Sequence, residues 1–168
     1  MAQAKPSTCD NSQWKKPIAG YLKCNVDTSF FEHQNCTGIG MCICDEHGRF
    51  IVARKTWRQP CLNVQEGESW GLLSVLEFAA SLDLKDVILE LDCKMVVNKI
   101  CIACVDLNEM GYFVDECRKV LAQYSSFGIG FVKRQTNGVV HELAILDPSF
   151  SSFDHVIPCI LRIWFITK

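Results

Sequence analysis

Apolar and polar residues alternate with a period of two from Tyr21 to Phe31, with Leu22, Cys24 and Val26 set against Lys23, Asn25 and Asp27. An extended chain sends successive side chains to opposite faces, so this run predicts a strand. CTGIG then reads as a glycine-bearing turn, IGMCIC as a second strand, DEHGRF as a turn tightest at Gly48, and RFIVARKTW as a third strand. Three strands joined by short connections predict an antiparallel meander. From Val64 to Leu82 the apolar positions recur at helical spacing. DVILELD is short and continuously apolar, as a strand covered on both faces would be. Helices follow from Cys93 to Cys104 and from Met110 to Tyr124, then a last strand in FGIGFVKR and a last helix in GVVHELAIL. The order βββαβααβα predicts an α/β domain. Its five-stranded mixed sheet is antiparallel over β1–β3, parallel over β4–β5, and flanked by helices.

At 168 residues the chain suits one domain with a core of its own. It is 49% hydrophobic and 21% charged, the balance of a globular protein and not of a disordered one. A formal charge of -2 creates no general field towards nucleic acid, so binding a phosphate backbone would rest on local charge and bound metal. MAQAKPSTCDNSQ lacks the apolar centre of a secretory signal. The most apolar stretch, HVIPCILRIWFITK, is broken by Pro158 and Arg162, too soon to cross a membrane. These features predict an intracellular monomer, nuclear or cytoplasmic, with no membrane contact. The expected division is a polar leader over 1–13, a domain over 14–147 and an apolar C-terminal extension over 148–168. Phe150, Phe153, Trp164 and Phe165 of that extension are expected to pack back onto the domain; the alternative is a surface for a protein partner.

Eleven cysteines are many for such a chain. Cys24, Cys42 and Cys44 fall in predicted strands, and Cys101, Cys104 and Cys117 in predicted helices. A free cysteine behaves as a small buried hydrophobe. The CxxC of Cys101 and Cys104 and the CxC of Cys42 and Cys44 have neither a second pair nor a histidine pair at zinc-site spacing. Reduced core thiols are the expectation.

Three acids stand on three separate elements, in the first strand, near the start of the first helix and at the end of the fourth strand. Glu68 heads the helical stripe that continues through Leu72, Val75, Leu76 and Ala79, while Glu77 falls nearly opposite. An acid on a core-facing stripe is costly to bury without a partner, although a glutamate near a helix start also gains from the macrodipole. Asp92 ends the strand VILELD, and as a residue before a helix it reads equally as an N-cap. Asp27 reads equally as one more polar residue on a solvated strand face beside Asn25 and Ser29. Their joint placement on three elements points to a site for hard divalent cations.

The motifs WKKPIAGYLKCNVDTSF, GIGMCICDEHGRFIVA, GESWGLL, VILELDCKMVVNKI and FVKRQTNGVVHELA occur in that order. Over residues 14–147 this resembles the type 1 ribonuclease H superfamily, most closely the reverse-transcriptase-like RNase H domains abundant in plants. The resemblance implies an RNase H-like fold and an endonuclease that hydrolyses the RNA strand of an RNA–DNA hybrid, leaving 5′-phosphate and 3′-hydroxyl ends. It implies Asp27, Glu68 and Asp92 as ligands to Mg²⁺, with Mn²⁺ as a substitute, and two-metal-ion catalysis. Its fourth acidic position falls on His141, with Glu142 as neighbour. His141 reads either as a weak ligand or proton carrier, and so catalytic, or as a polar residue on an exposed helix flank. Two further departures are Asp27-Thr28-Ser29, where the family often has Asp-Gly-Ser or Asp-Gly-Ala, and KRQTNG, which lacks the family's mobile histidine. Lys133 and Arg134 in that loop offer cations for phosphate, and Ser29, Gly38 and Asn98 stand near expected 2′-hydroxyl contacts. The competing readings are a nucleic-acid-binding domain with weakened or lost catalysis and a protein-interaction module acting through the C-terminal tail.

Overall fold

The computed structural model describes residues 14–102 and 106–146. Five strands, β1 (Leu22–Phe31), β2 (Cys36–Cys44), β3 (Phe50–Arg58), β4 (Val87–Leu91) and β5 (Gly128–Phe131), form one sheet in the order β3-β2-β1-β4-β5. Four helices accompany them: α1 (Val64–Ser81), α2 (Lys94–Cys101), α3 (Glu109–Gln123) and α4 (Gly138–Ala144). β1 runs antiparallel to β2 and parallel to β4, β2 is antiparallel to β3, and β4 is parallel to β5. The expected order and mixed sheet are therefore both present. The leader, residues 103–105 and the chain from 147 onward, with the C-terminal extension, lie outside the described residues.

Two apolar clusters sandwich the sheet. The larger holds Val26, Ile39, Leu72, Leu76, Leu89 and Val114, joining the sheet to α1, α2 and α3. The smaller is built by Val140 and Leu143 of α4 on Cys42, Cys44 and Ala53 of β2 and β3. The stripe from Leu72 to Ala79 enters the larger cluster as its spacing required. α1 starts where the Asn63 side chain accepts the Glu66 amide at 3.0 Å, satisfying an amide that the first turn leaves open.

Three expectations are corrected. CTGIG is not a turn: Cys36–Cys44 is continuous strand, and the reversal occurs earlier, at the 3₁₀ turn Glu32–Gln34 and at Asn35, whose φ of 50° lies in the left-handed region. Gly40 serves close packing, because an added β-carbon would stand 2.6 Å from the Val140 carbonyl oxygen of α4. β4 is not equally covered on its two faces. Val87, Leu89 and Leu91 are buried while Ile88 and Glu90 are only half-buried, since α4 lies over β1 and β2 on that side. Finally, α2 stops at Cys101, which is exposed and so is no core thiol, whereas Cys24, Cys42, Cys44 and Cys117 are buried and free as expected. Cys104 falls outside the described residues.

Candidate active site

The ladder between β1 and β4 ends at the pair Val26 and Leu91, and each is followed in the chain by an aspartate, Asp27 within β1 and Asp92 just past β4. Parallel pairing thus brings together two acids 65 positions apart in sequence. α1 supplies the third. Its approach to β1 depends on Gly71, where a β-carbon would lie 2.7 Å from Thr28 Oγ1. The β-branched Thr28 thus fits because the facing helix residue has no side chain. Ligand oxygens of Asp27, Glu68 and Asp92 all lie within 4.8 Å of one another.

The bland readings of these acids fail on geometry. Asp27 sits on no solvated face: it is 3% exposed, and Asn25 and Ser29 beside it are buried too. Asp92 caps nothing, because the N-cap of α2 is Cys93 and no side chain bonds the cap. Glu68 stands half-buried at the top of a helix whose stripe below it, Leu72, Val75, Leu76 and Ala79, is buried and apolar.

Electrostatics record the crowding. Burial, followed by the negative charges of Asp27 and Asp92, pushes the Glu68 carboxyl up to about 8. The Thr28 hydroxyl, which is buried without a hydrogen bond of normal geometry, and then Arg134 pull it back part of the way. Asp92 is raised by burial and then by Asp27, with Arg134 and His141 opposing. Three clustered carboxylates with so little compensating positive charge, offering hard oxygen donors, suit a hard divalent cation such as Mg²⁺.

His141 of α4 reaches the cluster from the opposite face of the sheet, its Nδ1 2.7 Å from Asp27 Oδ2. An ionised carboxylate only accepts, so Nδ1 carries the hydrogen in this bond. Arg134 Nη2 lies 3.4 Å from the same Nδ1, a contact in which the guanidinium stacks charge near the acids rather than donating to an already protonated nitrogen. The exposed-flank reading of His141 is thereby set aside; its neighbour Glu142 is the residue that faces solvent.

The expected substrate contacts are dispersed. Arg134 is at the cluster, Lys133 is exposed in the adjoining loop, and Asn98 is exposed on α2. Ser29 and Gly38 are register partners on β1 and β2 but are buried, with Ser29 8% exposed and Gly38 packed under Phe31 and the Ala144 carbonyl. In this conformation neither presents much surface to a ligand.

One residue at the site had no signal in the spacing of charges. Asn137, 1% exposed at the start of α4, donates its Nδ2 to the Val26 carbonyl at 2.7 Å. That bond ties the root of the His141 helix to the peptide next to Asp27. An asparagine just before a helix was the available clue, yet only the fold shows that its side chain bonds the strand and not its own helix.

Among the described residues no helix is long and apolar enough to cross a membrane. The sequence model of a family described as reverse transcriptase-like matches residues 25–146. No curated protein matches the chain. Among solved structures, RNase H1 from the halophilic archaeon Halobacterium salinarum is similar at 20% identity and a TM-score of 0.65, covering 74% of this chain and 94% of that one. LC11-RNase H1, isolated from compost by a metagenomic approach and solved in complex with an RNA/DNA hybrid, is 17% identical with a TM-score of 0.63, covering 73% and 92%. The foamy viral protease-reverse transcriptase, solved with double-stranded DNA, is 14% identical with a TM-score of 0.64, covering 77% and 96%. At such identities the likeness is one of fold, and the fold is RNase H-like.

Proposed function

The chain belongs to the reverse transcriptase-like family, and from that premise we propose that it is a divalent-metal-dependent nuclease cutting the RNA strand of RNA–DNA hybrids. The observation that carries this reading is the trio of carboxylates from β1, α1 and the end of β4, whose oxygens lie within 4.8 Å of one another. The LC11 enzyme of the same fold, solved with an RNA/DNA hybrid, supports the substrate class.

Asp27, Glu68 and Asp92 would hold Mg²⁺, which when bound supplies a polarised phosphoryl oxygen and an acidified water. Glu68 must lose its proton to serve; burial and then its negative neighbours raise it, and the charge of a bound cation would lower it again. His141 holds Asp27 Oδ2 in place and brings an imidazole within reach of the cluster. Arg134 and Lys133 supply cations for the substrate's phosphates, and Arg134 would exchange its attraction to the acids for one to phosphate as metal takes over their charge. Asn98, exposed on α2, is available for the 2′-hydroxyls that distinguish RNA.

The test is a hybrid labelled on its RNA strand, incubated with Mg²⁺. Wild type should shorten the RNA. Asp27→Asn, folded by circular dichroism, should leave it intact, and cutting at the wild-type rate by this variant refutes the assignment. A second reading, binding without cleavage, draws on the 2.7 Å bond that occupies Asp27 Oδ2. A Mg²⁺ titration that gives complex and no product would favour it.

A further inference from the structure

Below the acids, on the face of the sheet that carries α4, five groups close a polar ring. Trp14 Nε1 donates to Asn25 Oδ1 at 3.1 Å, and Asn25 Nδ2 donates to Glu90 Oε2 at 3.3 Å. Glu90 Oε1 pairs with Lys23 Nζ at 2.9 Å. Lys23 Nζ returns to the starting segment, donating to the Lys15 carbonyl at 2.6 Å and lying 5.5 Å from the centroid of the Trp14 ring. The Lys23 side chain is 8% exposed and that of Glu90 17%, so little water competes with these bonds.

The position of this ring gives it a consequence for the site. Asn25 and Glu90 are register partners across the parallel β1–β4 ladder. Two residues onward stand Asp27, still within β1, and Asp92, the first residue past β4. A strand repeats its face every two residues, so a bond across Asn25 and Glu90 sets the spacing of the step that bears the acids. Beyond Val26 and Leu91 the ladder has no further pair to hold them. Segment 14–15 thus acts on the acids through a side-chain bridge instead of touching them.

We propose that the Trp14–Asn25–Glu90–Lys23 ring positions Asp27 and Asp92 for a shared cation, with Trp14 and Asn25 as positioning residues. The inference rests on the metal-dependent reading above. Trp14 also packs against the smaller apolar cluster, which is the merely structural alternative. Trp14→Phe separates the two, because it keeps an aromatic ring and removes only the N–H. Asn25→Val cuts the bridge between the strands.

The experiment uses the full chain. Mn²⁺ binding is followed by electron paramagnetic resonance, hybrid cleavage as kcat and KM, and amide exchange along the β1–β4 ladder without metal. Both variants should fold, bind Mn²⁺ about tenfold more weakly, as groups supporting a ligand shell commonly do, and lose kcat with KM for the hybrid unchanged. Exchange in the ladder should quicken. Folded Trp14→Phe with wild-type Mn²⁺ affinity and exchange overturns the proposal, and this variant decides it should Asn25→Val fail to fold. Wild type that grips Mn²⁺ but cuts nothing sinks the nuclease reading while leaving the ring standing. If wild type binds no Mn²⁺, that reading fails as well, and the exchange rates alone decide the ring.

Discussion

His141 is the side chain on which the chemistry of this site turns. It stands where the family resemblance placed a fourth acid, and its Nδ1 touches Asp27 at 2.7 Å. A carboxylate there would add a hard oxygen ligand in place of a nitrogen donor bound to Asp27. His141→Asp is expected to raise the Mg²⁺-dependent cleavage rate about tenfold, the lower end of what ligand-shell changes produce. A folded variant with unchanged or lower rate would remove His141 from the metal's surroundings. Glu68 yields a prediction with a definite sign. Its folded value of about 8 lies above the ordinary 4.5, so between those values the folded state holds more protons than the unfolded one. Stability then falls as pH rises through that window and levels off above it. In EDTA the melting temperature should decline from pH 5 to pH 8, and Glu68→Gln should flatten that part of the decline. Mg²⁺ should raise the melting temperature more at pH 8 than at pH 6, since deprotonated ligands bind it better. A slope identical in the glutamine variant would locate the effect elsewhere. Of the acids themselves, the sequence showed which residues to suspect but left each with an innocent explanation. Burial of Asp27 and the uncapped start of α2 removed those explanations, and neither is visible in a string of residue types.

Helices reach the site because strands and helices come unusually close. α4 lies over β2 at Gly40, where a β-carbon would be 2.6 Å from the Val140 carbonyl and 2.7 Å from the Ala144 amide. Both obstacles are backbone, so a methyl group there cannot be relieved by a rotamer change. Gly40→Ala should cost about 1–3 kcal/mol, the usual range for overpacking, and should move His141 away from Asp27. Chemical denaturation reads the first effect, and a cleavage loss larger than the stability loss explains reads the second. Wild-type stability would mean that α4 can slide without penalty. The same glycine accounts for the misread turn: CTGIG has the composition of a turn, and composition cannot distinguish a glycine needed for bending from one needed for a neighbour's approach. Elements with a clear period, α1 above all, were legible to within a residue or so because amphipathic spacing is a local property.

Taken as one body, the protein has a formal charge of -2 and concentrates carboxylates at the place where a polyanion would dock. Without metal that arrangement repels a nucleic acid. Hybrid binding measured by fluorescence anisotropy in EDTA should therefore be weak, and Ca²⁺, another hard cation with oxygen preference, should tighten it at least about tenfold, or about 1.4 kcal/mol. Equal affinity with and without the cation would show that the acids take no part in docking.

Periodicity, turn residues and the order of motifs were enough to specify the α/β class, the succession of strands and helices and the three acids worth watching, because each depends on neighbours within a few positions. The convergence of Asp27, Glu68 and Asp92, the bond from His141 of α4 to β1 and the closed ring at Trp14 depend on parallel pairing and on two glycine-permitted approaches. Those are contacts between residues tens of positions apart, and their distances exist only once the chain has packed.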